Sequence, residues 1–156
     1  MDPRPSLTTI TPLLTVEAVE PCLPFWAALG FEVTATVPHG DAVGFAMLQT
    51  DGLQLMYQSR ASVEEDLGES DRAGGDPELA ARMEGGMAAL FIEVEAVDPV
   101  LEALGDAADV VIPRRQTFYG MDEVFVRAPC GTLVGFAAPV PGEGTADAQG
   151  ADPGAA

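Results

Sequence analysis

Apolar and polar positions alternate over residues 8–16, with Ile10, Leu14 and Val16 on one side and Thr11, Leu13 and Thr15 on the other, and this period of two predicts a β-strand. Pro12 removes a backbone donor inside that run, so an edge position, a bulge or a change of partner is expected there. A helix is predicted over 19–29, with Pro21 in its first turn and Gly30 as its stop. Pro24 is expected to shorten or distort it. Strands follow at 31–37, 42–49 and 52–58, separated by the turn signals Pro38-His39-Gly40-Asp41 and Thr50-Asp51-Gly52. The same order then returns: a strand at 87–95, a helix at 97–105, and strands near 109–113, 121–127 and 132–138.

The return is literal in one place. Val16-Glu17-Ala18-Val19-Glu20-Pro21-Cys22-Leu23 reappears as Val94-Glu95-Ala96-Val97-Asp98-Pro99-Val100-Leu101, six of eight positions identical at an offset of 78 (94 minus 16). The turn Ala128-Pro129-Cys130-Gly131 stands where Thr50-Asp51-Gly52 stood, at an offset of 79 between Gly131 and Gly52. Two strand-to-helix units of the same design are therefore expected, a first module at 7–58 and a second at 87–138. Between them, the acidic, glycine-containing segment 59–86 reads either as a solvated linker or as a flap beside a binding site, with a short helix over 77–84. From 139 to 156 the chain has almost nothing to bury and is expected to be disordered.

Composition narrows the function. With 47% hydrophobic residues in 156, the chain can fold as one ordinary domain or as two halves sharing a core. Its 25 acids face seven arginines and no lysine, a formal charge of −18, which argues against nucleic acid or an anionic membrane as partner. The acidity reads either as a solubility device or as a field that gathers a cationic ligand. No apolar run approaches the roughly 20 residues of a membrane span, and Met1-Asp2-Pro3-Arg4-Pro5 lacks the features of a signal peptide, so a soluble, cytoplasmic protein is expected. Cys22 and Cys130 form no paired motif and read as structural thiols. His39, the one histidine, lies in a predicted turn, which leaves no Ser-His or Cys-His arrangement for nucleophilic catalysis.

The paired strand–Val-Glu-Ala-Val–helix openings, Phe25-Trp26 in the first helix, and the run Tyr119-Gly120-Met121-Asp122-Glu123-Val124-Phe125-Val126-Arg127-Ala128-Pro129-Cys130-Gly131 resemble the vicinal oxygen chelate superfamily of glyoxalases, bleomycin resistance proteins and dioxygenases, and within it the bleomycin-resistance branch. The resemblance covers residues 7–138, with Ala128 and Cys130 departing from two Asp positions of that branch. It implies an α+β fold of two tandem βαβββ modules forming a curved mixed sheet around a central cavity, and a ligand-binding homodimer. In the enzymes of this superfamily a divalent metal sits between the modules on His, Gln or Glu. Carried over, those places fall on Thr11, Ala89, Gly135 and either Met56 or Gln54, depending on the register of the fourth strand. Thr11, Ala89, Gly135 and Met56 offer no ligand that a hard metal ion accepts, so no metal and no cofactor is expected.

Binding is then the expected function, leaning away from catalysis: a metal-independent small-molecule-binding protein of the glyoxalase/bleomycin-resistance type that sequesters a drug or metabolite, as in antibiotic resistance. The expected ligand-binding residues are Thr11, Leu13, Trp26, Phe45, Gln54, Met56, Ala89, Phe91, Glu93, Tyr119, Glu123 and Gly135, with Ile10, Leu14, Val16, Leu90, Ile92 and Val94 turned toward the helices. Small residues at the metal places are expected to leave room, and the rings and carboxylates suit a planar or amphipathic molecule, including a cation. The alternative is a metal-dependent lyase, isomerase or dioxygenase of the same superfamily.

Overall fold

The computed structural model describes residues 4–5, 9–69, 78–84 and 89–140. The described chain divides into two compact units: residues up to Val19 with Glu32–Glu84, and Glu20–Phe31 with the residues from 89 onward. No helix among the described residues is long and apolar enough to cross a membrane. The expected disorder of the tail falls, from 141 onward, outside the described residues, as do 70–77 and 85–88 of the linker and second-module start.

The first unit holds β1 (Leu13–Val16), β2 (Glu32–His39), β3 (Ala42–Thr50) and β4 (Leu53–Ser59) in the order β1-β4-β3-β2, with β1 parallel to β4 and the rest antiparallel. β1 starts later than the alternation suggests. Pro12 has no N–H to give, although its carbonyl still accepts from the Met56 amide at 2.9 Å, and strand pairing begins one residue on. Asp51 (φ 41°) and Gly52 (φ 83°) both lie in the left-handed region, the two-residue turn whose twist suits a β-hairpin, and they close β3 onto β4. Leu14, Val16, Ala46, Leu48, Leu55 and Tyr57 share one face by register, and all but the half-buried Leu14 are buried. Ile10, expected beside them, is 91% exposed because it precedes the ordered strand.

After β4 the chain forms α2 (Arg60–Glu69), and α3 (Leu79–Met83) follows within the expected short helix at 77–84. α2 was not legible as a helix: its residues carry no apolar stripe, and Val63 is its buried apolar contact. Polar ties hold it instead. Gln58 Nε2 donates to Ser62 Oγ (3.0 Å) and Asp66 Oδ2 (2.8 Å), His39 Nδ1 lies 2.9 Å from Glu65, and Arg60 pairs with Glu64 (2.8 Å) and Glu84 (3.2 Å).

The second unit holds β5 (Ala89–Glu93), α4 (Asp98–Leu104), β6 (Asp109–Gln116), β7 (Met121–Arg127) and β8 (Leu133–Pro139), its sheet ordered β5-β8-β7-β6. β5 runs parallel to β8, and the other pairs are antiparallel. Val124, Val126, Val134, Phe136 and Ala138 make its buried face. This unit also contains α1 (Leu23–Ala28), the helix of the first repeat, preceded by a 3-10 turn at Glu20–Cys22. Because the α-helix begins only at Leu23, Pro24 falls in its first turn, where no intrahelical N–H bond is missed, and the helix is short rather than broken. α1 packs against α4, and the 3-10 turn packs against Pro129–Gly131, where the buried Cys22 thiol lies 3.8 Å from the Pro129 carbonyl.

The two sheets repeat each other rung by rung. Leu13 opposite Met56 corresponds to Phe91 opposite Gly135, Phe45 opposite Gln58 to Glu123 opposite Ala137, and Val37 opposite Phe45 to Arg115 opposite Glu123, at the offsets of 78 and 79 seen in the sequence. Each module is a βαβββ unit, and among the described residues the strands form two four-stranded sheets with no closed barrel.

Candidate functional site

Strand pairing puts partners across a ladder on the same face, so the register assigns each candidate side chain. On the first sheet, Leu13, Met56 and Met47 form one row, Gln54 and Gln49 the next, and Phe45 with Gln58 a third, all opposite the buried face. Thr11 lies just before β1 and joins this face through its hydroxyl, which accepts from Gln54 Nε2. Gln49 Nε2 donates to Gln54 Oε1 at 2.9 Å, so a chain of amides runs Gln49 to Gln54 to Thr11. This settles the register left open by the sequence: Gln54 stands beside Thr11, and Met56 beside Leu13. Thr15, on the same face, is buried with no partner for its hydroxyl oxygen.

On the second sheet the equivalent face is built differently. Phe91, Gly135 and Phe125 form one row, Glu93, Ala137 and Glu123 the next, with Arg115 beyond Glu123, and Ala89 with Leu133 the third. Phe91 is 54% exposed and its ring centroid lies 6.4 Å from that of Phe125, tilted by 43°. Gly135 does not leave an empty space, as the small residue suggested it would. A β-carbon there would meet Phe125 Cε2, Cζ and Cδ2 at 2.5, 2.7 and 2.9 Å, so the Phe125 ring already fills that volume.

Glu123 is only 2% exposed, and a buried carboxylate needs hydrogen-bond partners to offset its lost hydration. Tyr119 O–H donates to Glu123 Oε1 at 2.9 Å and Arg115 Nη2 to Oε2 at 3.3 Å. The bond to this carboxylate, then burial, holds the Tyr119 phenol above its usual pKa, because ionising it would place two negative oxygens side by side. Next to Tyr119, Phe118 is 80% exposed and meets its ring edge-to-face at 5.3 Å. On the other side of the sheet Arg114 bonds Asp122 at 2.8 and 3.0 Å and also Asp98, which keeps the Asp122 carboxyl below its usual range.

Of the twelve expected binding residues, eleven are thus placed on, or bonded to, one face of one or other sheet. The exception is Trp26, which is 0% exposed and wedged edge-on between Phe25 and Phe31 at 5.2 Å from each. It is a core residue of the second unit because α1 turns its indole inward. Phe125 and Arg115 join the face without having been expected. Phe125 lies two residues beyond Glu123 on β7, so alternation along that strand is the signal that could have found it.

A metal fits neither face. The places carried over by resemblance are Thr11 with Gln54 or Met56 on the first sheet, Gln54 having both ends of its amide already engaged, and Ala89 and Gly135 on the second, whose side chains offer no ligand atom. Among the described residues no three His, Cys, Asp or Glu side chains come together to hold an ion.

The fold is shared with solved structures of glyoxalase and bleomycin-resistance type. A glyoxalase/bleomycin resistance protein/dioxygenase from Nocardioides superposes with a TM-score of 0.64 over 90% of this chain and 89% of its own, at 21% identity. A lactoylglutathione lyase from Agrobacterium tumefaciens gives 0.58 over 86% and 96% at 13% identity, and a bleomycin-binding protein solved with bleomycin gives 0.55 over 85% and 98% at 14%. No family model and no curated protein matches the chain.

Proposed function

We propose that this protein binds a small planar or amphipathic molecule, cationic by preference, on the open face of its second sheet, and sequesters it without a metal and without transforming it. The observation that carries this reading is the row Phe91–Gly135–Phe125 beside the row Glu93–Ala137–Glu123, an aromatic surface next to carboxylates on one rigid sheet. Ring faces and negative charge attract the same class of ligand, and the acidic chain raises its local concentration. Glu93 is exposed and meets the ligand, whereas Glu123 acts through the two side chains it orients, Tyr119 and Arg115. The likeness to a bleomycin-binding protein supports binding as the function, and a drug or metabolite as the molecule held. Two copies act together in the cytoplasm, with the binding cavity completed across a two-fold interface.

Screening cationic antibiotics and aromatic metabolites for a rise in melting temperature tests binding. A ligand that stabilises the wild type and loses that effect in Phe91→Ala and Glu93→Gln supports the reading, and a screen in which metal ions alone stabilise the protein overturns it. Sedimentation tests the assembly, with a mass near twice 16.2 kDa expected.

A further inference from the structure

Gly135 sits in the interior of β8, between Phe91 on β5 and Phe125 on β7, and it is buried. Glycine is ordinarily the poorer choice inside a strand, because it loses more conformational freedom than alanine and packs nothing. No positive φ explains it here; the positive-φ glycines of the second sheet's connections are Gly105, Gly120 and Gly131. What explains it is the Phe125 ring, three of whose carbons lie 2.5–2.9 Å from where a β-carbon would be, closer than a real one is found. The ring is therefore held down against the sheet, and the exposed Phe91 ring stands beside it with centroids 6.4 Å apart.

The equivalent row of the first sheet, Leu13–Met56–Met47, has no such gap and no ring. The geometry points to Gly135 as the specificity-determining residue of the second face: by letting Phe125 lie low, it creates the surface that accepts a flat aromatic group and sets the preference for such ligands over aliphatic ones of equal charge. This rests on the binding function proposed above and names the residue that selects the ligand class. With a methyl group at 135 the ring must swing up from the sheet, into the space a flat ligand would take, while the neighbouring Glu93 is left to attract charge of any shape.

The test uses thioflavin T as a flat aromatic cation and hexylammonium as an aliphatic one, titrated into the full-length wild type, Gly135→Ala, Phe125→Leu and the double variant. The wild type is expected to prefer thioflavin T. Gly135→Ala should weaken it by about tenfold or more, the scale on which one methylene discriminates in an apolar pocket, with hexylammonium nearly unchanged. Phe125→Leu should relieve the clash, so the double variant melts close to Phe125→Leu alone and also lacks the preference. If Gly135→Ala does not fold, the preference is read from Phe125→Leu against the wild type. A wild type that binds neither probe overturns the binding function itself. A wild type that prefers thioflavin T, with that preference unchanged in Gly135→Ala or, failing that variant, in Phe125→Leu, overturns only the role of Gly135.

Discussion

The open faces of the two sheets share one ladder and carry different chemistry. Where the first has Leu13, Met56 and Met47, the second has Phe91, Gly135 and Phe125, and where the first has Phe45 and Gln58, the second has Glu123 and Ala137. Val37 is matched by Arg115, and the amide pair Gln49–Gln54 by Arg127 and Leu133. The first face ties its polar groups to one another through amides, leaving few of them for a ligand. The second exposes a ring and a carboxylate and buries another carboxylate under a phenol and a guanidinium. Two matching ladders thus carry different chemistry, and the binding proposed above rests on the second of them.

The largest expected effect separates the buried face from the open one. Phe136→Ala should destabilise the protein by about 3–5 kcal/mol, the cost of emptying a core aromatic site. Phe91→Ala, on the exposed side, should cost no more than about 0.5 kcal/mol in chemical denaturation, as surface changes do, while reducing ligand binding. If Phe91→Ala unfolded the protein as Phe136→Ala does, the second face would be core.

Next in size is the contrast in binding between matched positions. Glu93→Gln should weaken a cationic ligand by roughly tenfold, the scale of one lost charge-assisted hydrogen bond, and should flatten the salt dependence of binding. Leu13→Ala, in the row of the first sheet matched to Phe91, should leave that affinity unchanged in the same calorimetric titration.

A smaller effect is expected from breaking the amide chain of the first face. Gln54→Leu removes its bonds to Gln49 and Thr11 and should lower stability by about 0.5–1.5 kcal/mol in denaturant melts, with no change in ligand affinity. A loss of affinity there would move the site to the first sheet.

The smallest concerns Tyr119. Its phenol is held protonated beyond the usual range by Glu123, so the folded state binds that proton more tightly than the unfolded chain does. The resulting stability is fully present below the ordinary tyrosine value near about 10 and is lost as pH rises through the higher folded value. In Glu123→Gln, ultraviolet titration should show the phenol ionising at lower pH than in the wild type. An unmoved titration would mean that the Tyr119–Glu123 bond does not persist in solution.

Much of this was legible in the sequence, for identifiable reasons. Strands announce themselves by alternation, and the repeat at 16–23 and 94–101 fixed the equivalence of the modules, so Thr11, Leu13, Ala89, Phe91 and Glu93 could be assigned faces by counting in twos. What counting cannot see is partnership at a distance. Nothing local to α1 indicates that it packs with α4 in the second unit, so Trp26 read as a site residue when it is core. α2 escaped notice because polar side chains rather than an apolar stripe hold it. Gly135 read as empty space because its neighbour across the ladder, Phe125, lies ten residues earlier in sequence and fills that volume from the side.

Backbone amide NMR during titration with thioflavin T tests most directly where the ligand binds. Shifts concentrated at Phe91, Glu93, Phe125, Gly135 and Tyr119, with Leu13, Met47, Gln54 and Met56 unmoved, are the expected result. Shifts concentrated on the first sheet, or none on either at saturating dye, would contradict the assignment of binding to the second face.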